Sequence, residues 1–156
     1  MPKARFSIAH NDEGMLTLVQ DTDQKTLAIW AIDCAERVLP FFEEQFPDDP
    51  RPRHAIEALQ AWLQTGVFEM AVIRKASLDA HAAARDVGAD TAARSAARAA
   101  GQAVATAHVP RHAYGPAVYA QQAIYRAAAP AEADAAVTRE RDWQYQRLLQ
   151  LRESKP

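Results

Sequence analysis

Residues 91–112 read TAARSAARAAGQAVATAHVPRH, and the fold follows from how this stretch is read. Asp90 or Thr91 can cap a helix at its start, and Pro110 cannot donate the next helical bond. Between those marks nearly every side chain is small. Ala92, Ala96, Ala99, Ala103 and Ala107 share one face, and Ala93, Ala97, Ala100, Val104 and His108 form the face beside it. A helix apolar on two adjacent faces packs on more than one side, which leaves Arg94, Arg98 and Gln102 as its wetter strip. The stretch therefore predicts the central helix of a bundle. Gly101 marks a close helix crossing.

Working outward, a helix begins near Gln24, with Leu27, Trp30, Ala31, Cys34, Val38, Phe41 and Phe42 inward. Pro40 is expected to kink or restart it. PDDPRP then forms a turn with Asp48 or Asp49 as cap, and residues 52–64 form a second helix that stops at Gly66. A third helix over 68–87 ends at Gly88, with Ile73, Ala76, Ala80, Ala84 and Val87 inward. Arg74, Ser77, His81 and Arg85 form its polar strip. Beyond the central helix, a fifth spans about 116–128 and a sixth about 131–152, divided by Pro130. The last carries Ala133, Val137, Trp143, Leu148 and Leu151. Residues 1–22 are expected to dock loosely, with Met15–Val19 as a short strand or helical turn. The expectation is an all-α, single-domain bundle of about six helices.

At 156 residues the chain is long enough to bury a core without staples. Alanine makes up roughly a fifth of it and glycine is scarce, a balance that favours helix. Its 18 basic and 20 acidic residues give a net charge of −2 with no long block of one sign, which excludes a nucleic-acid stripe or a polybasic membrane patch. The opening lacks a signal peptide's apolar core and no run approaches membrane-spanning length, so a cytoplasmic protein is expected. The single cysteine, Cys34, cannot form an internal disulfide and reads as a small core residue, not an exposed nucleophile.

Polar residues at helical spacing form the candidate site: Asp33, Arg37, Arg53, Glu57, His81, Arg85, His108 and His112. Asp33 with Arg37, and Arg53 with Glu57, are four apart and able to pair. One reading is a network of polar groups that fixes helix docking. Its rival is a metal or acid–base site of a small metal-binding or hydrolase-like protein, using His81, His108, His112 and a carboxylate such as Asp33 or Glu57. Pro110 interrupts the His108–His112 spacing and no HExxH pattern is present. A third reading is a structural homodimer joined through alanine-faced helices.

WAIDCAERVLPFFE, PDDPRPRHAIEALQAW, HAAAR and AARAAGQAVATAHVPRHAYGPAVYA resemble the immunity proteins of bacterial polymorphic toxin systems, a small all-α family of this length. The resemblance covers about residues 26–127 and leaves out the first twenty residues and the last helix. It implies a protein that binds and neutralises a cognate toxin by stoichiometric complex formation, not turnover, and that needs no cofactor. The matching positions are Asp33, Cys34, Glu36, Arg37, Arg51, Arg53, Glu57, His81, Arg85, His108 and His112.

Overall fold

Alanine at the helix crossings decides how closely the chain can pack, and the computed structural model, which describes Phe6 and residues 12–154, shows the consequence. The described residues form seven α-helices and one 3-10 turn, with no strand. The helices are α1 (Glu13–Gln20), α2 (Gln24–Glu43), α3 (Arg51–Thr65), α4 (Met70–Asp86), α5 (Ala92–Ala105), α6 (Tyr114–Ala127) and α7 (Ala133–Glu153). Helix α5 lies against α2, α3, α4 and α6. Ala96, Ala97, Ala99, Ala100, Ala103 and Val104 are fully buried in those contacts, and Arg94, Arg98 and Gln102 remain half-buried, as the pattern predicts.

The seventh helix is α1, which replaces the expected strand or helical turn. Asp12 caps it by accepting from the Met15 N–H, and Met15 and Val19 are buried in the core. The rest of the N-terminal segment lies outside the described residues apart from Phe6, whose ring meets Tyr125 at 5.5 Å between centroids.

Helix α2 does not restart at Pro40 but runs through it; Pro40 is exposed, and Glu36, the residue whose carbonyl loses its helical partner there, lies one turn back on the same wetter face. One helix end differs clearly from expectation. Helix α5 stops at Ala105 rather than continuing to Pro110. Its last turn tightens through bonds from Thr106 N–H to Ala103 O and from Ala107 N–H to Val104 O. The carbonyls of Thr106 and Ala107 both accept from Nε2 of Gln24, at 3.0 Å each. A side chain of α2 thus caps α5 from across the bundle. Residues Pro110–Ala113 then form the 3-10 turn that leads into α6.

Candidate functional site

Seen from the residues up, the polar positions fall into three separate places. The first lies between α2 and α7. Arg37 reaches Glu140 with a forked contact, Nε to Oε2 at 2.9 Å and the terminal nitrogen to Oε1 at 2.8 Å, and its guanidinium lies 3.8 Å over the Trp143 ring. Glu140 is only 4% exposed. Asp33 accepts from Arg147 at 2.8 Å, and Glu36 meets Arg53 at 3.3 Å. Arg53 is held more closely by Glu43, at 2.7 Å. These groups border an open groove of about 440 Å³ between Asp33, Glu36, Arg37, Trp143, Arg147 and Gln150.

The expected pairs within single helices are therefore replaced. Arg37 leaves Asp33 for Glu140, and Arg53 leaves Glu57 for Glu43 and Glu36. A pair four residues apart on a helix surface contributes a few tenths of a kcal/mol, roughly 0.2–0.5. A forked contact with a desolvated carboxylate is stronger, so long-range geometry wins. Glu57 stays exposed, with His54 at 4.0 Å, and acts on Arg53 only as a weaker, unbonded charge behind Glu43 and Glu36. Arg51 joins Asp49 to Asp86, tying the start of α3 to the end of α4. Cys34 is fully buried, and burial followed by the nearby Glu140 and Asp33 charges pushes its thiol well above its usual range. It is an inert core residue.

The second place is the crossing of α4 and α5. His81 lies against Gly101, and Ser77 Oγ donates to the Gly101 carbonyl at 2.9 Å. Arg98 donates to His81 Nδ1 at 2.9 Å. A guanidinium has no acceptor, so the imidazole must be neutral with its proton on Nε2. Burial, then the positive charges of Arg98 and Arg85, lower its pKa to about 4. His112 bonds Gln102 at 3.2 Å, and burial followed by Arg111 and His108 lowers its pKa as well. None of His81, His108 and His112 meets a carboxylate, and among the described residues no group of three or more His, Cys, Asp or Glu could hold a metal ion. The constellation proposed for a metal or acid–base site is thus dispersed, with Asp33 and Glu57 on other faces.

The third place continues this crossing toward the start of α4. A groove of about 350 Å³ opens between Met70, Ile73, Arg74, Ser77, Leu78, Ala105 and His108. Phe68 stacks on His108 with ring centroids 6.0 Å apart. Phe68, Met70, Val72 and Leu78 are all exposed.

The family model described as an Imm-5 like putative immunity protein matches residues 17–151. The chain belongs to this immunity-protein family. The match extends beyond residues 26–127 to take in α7, which the resemblance read from motifs had left out, so Glu140, Trp143 and Arg147 lie inside the family's span. No curated protein and no solved structure matches the chain.

Several residues of these surfaces escape a reading by sequence. Glu140 and Arg147 carry no local signal, because a charged residue is normally taken as exposed. Val72 and Leu78 did carry one, being apolar yet off the inward stripe of Ile73, Ala80 and Ala84, whereas Phe68 precedes α4 and Met70 shares the side of Ile73 and Ala84.

Proposed function

We propose that this immunity-family protein binds a cognate bacterial toxin in a fixed ratio and covers the toxin's active surface, in the cytoplasm of the cell that makes the toxin. The observation that carries this reading is the family match over residues 17–151. The site geometry supports binding over turnover. Of the three histidines, the nearest thing to a catalytic set, His81 bonds Arg98, His112 bonds Gln102 and His108 stacks on Phe68. A histidine held neutral by arginine neighbours is a poor general base near pH 7. No helix among the described residues is long and apolar enough to cross a membrane.

Of the candidate positions, Asp33, Glu36, Arg37, Arg51 and Arg53 serve the fold by joining helices. His81 serves it at the α4–α5 crossing. Arg85 and His108 stay available to a partner, being exposed and without an ion pair to a described residue. The test is co-expression with the toxin encoded by the neighbouring gene. Growth should be restored and the two chains should co-purify in a constant ratio. Absence of both rescue and complex would overturn the reading.

A further inference from the structure

We infer that the groove between α4 and α5 is the toxin-docking surface, and that it takes an apolar side chain carried beside a carboxylate. This rests on the immunity reading. Five of the seven large hydrophobic side chains exposed on the described surface, Val67, Phe68, Met70, Val72 and Leu78, fall within residues 67–78. Leu78 is 55% exposed and borders the groove beside Met70. Single exposed apolar residues are ordinary, but Phe68, Met70 and Leu78 gathered at one groove mark an interaction surface.

Charge names the chemistry of the occupant. Arg74 lines the groove, Arg98 and Arg85 lie farther along the same crossing, and none of the three pairs with a carboxylate among the described residues. Arg37, Arg51, Arg53, Arg94, Arg141 and Arg147 each have one, and Arg74 is the arginine without one that lines this apolar groove. Residues 91–131, which supply α5 and α6, contain four arginines and no Asp or Glu. Two of the four, Arg94 and Arg126, are held by Asp90 at 2.8 and 3.9 Å, and the segment gives the groove Ala105 and His108. An incoming carboxylate meets Arg74 here and breaks no existing ion pair.

The α2–α7 groove offers the opposite situation. Asp33, Glu36 and Arg37 there are all engaged by described partners, so a ligand would have to displace them. A second copy of this chain is also a poor occupant of the α4–α5 groove. A two-fold contact through this face would set Arg74 and its neighbours against themselves.

The test uses the full chain and the toxin domain encoded beside it, titrated by calorimetry. Arg74→Glu and Leu78→Glu both alter exposed side chains, so circular dichroism should show the fold retained. Each should weaken binding by about tenfold or more, while Arg74→Lys stays within about threefold of wild type. Gln146→Glu, which makes the same one-unit charge change as Leu78→Glu at an exposed position of α7, should leave affinity unchanged. Binding by wild type with unaltered affinity in both groove variants overturns this assignment and leaves the immunity reading standing. Failure of wild type to bind the toxin overturns both. Light scattering that shows a wild-type dimer broken by Leu78→Glu would make a second copy the occupant, and would equally overturn the assignment.

Discussion

A Cβ built on Gly101 would lie 2.7 Å from Nε2 of His81 and 2.9 Å from two ring carbons, closer than packed atoms come. Gly101→Ala therefore sets two effects against each other. Alanine improves helix propensity by about 1 kcal/mol, whereas overpacking costs about 1–3 kcal/mol. The ring cannot yield freely because Arg98 holds it, so the change should destabilise by about 1 kcal/mol in denaturant melts. In a His81→Ala background the same change should stabilise instead. Like signs in both backgrounds would show that the two residues are not in contact. His81 also predicts a pH effect. Unfolded, the imidazole takes a proton near pH 6.5, and folded only near pH 4, so the unfolded state binds more protons between those values. Stability is complete above pH 6.5 and declines as pH falls toward 4. Solvent reaches part of the ring, which limits the loss to about 1–2 kcal/mol. His81→Gln, which cannot titrate, should flatten that part of the stability curve.

At the scale of the element, α7 docks largely by polar groups, where α5 docks by alanine and α2 and α3 by large apolar side chains. Its buried residues are Ala133, Glu140, Gln144 and Leu148. Gln144 is fully satisfied at the centre of the seam: its side chain donates to Ala117 O and accepts from Gln121, and its carbonyl accepts from the Trp30 indole N–H. Glu140 depends on Arg37 alone among the described residues. Arg37→Ala would leave a nearly buried carboxylate unpaired, with an expected cost of about 2–4 kcal/mol, reduced from the fully buried case because Arg37 itself is 39% exposed. Replacing both residues, Arg37→Ala with Glu140→Leu, should recover much of that loss. A double-mutant cycle in urea checks it, and additive losses would mean that the pair does not couple α7 to α2.

For the whole molecule, α5 is the shared wall on which four helices lean. Ala103 is fully buried there, so Ala103→Leu inserts bulk with nowhere to go. It should cost about 1–3 kcal/mol or more, and a thermal melt should show it as a clear fall in midpoint. Ala105→Leu, at a half-buried position on the same helix, should cost less. An equal effect at both sites would mean that α5 is packed alike all round. The small side chains of α5 thus do two things at once. They let four helices close around one, and the end of α5 brings Ala105 beside Met70, Arg74 and Leu78 of α4.

The local grammar of the chain was enough to place six of the helices, because caps, prolines, glycines and a 3.6-residue period all act over one or two turns. Gly66 and Gly88 take the positive φ angles that their stop positions require, and Asp23 and Asp12 cap as their types allow. Met15 and Val19 were readable as apolar but too short a run to name as helix. Whether Arg37 pairs with Asp33 or Glu140, and whether three histidines meet, depended on atoms far away in the chain. Helical neighbours four residues apart interact through water and weakly, so any better-shielded partner on a facing helix wins. For the same reason the docking groove was visible in the sequence only as apolar residues off the inward stripe. The packing of α4 on α5 alone could leave Phe68, Met70 and Leu78 in solvent with Arg74 unpaired beside them.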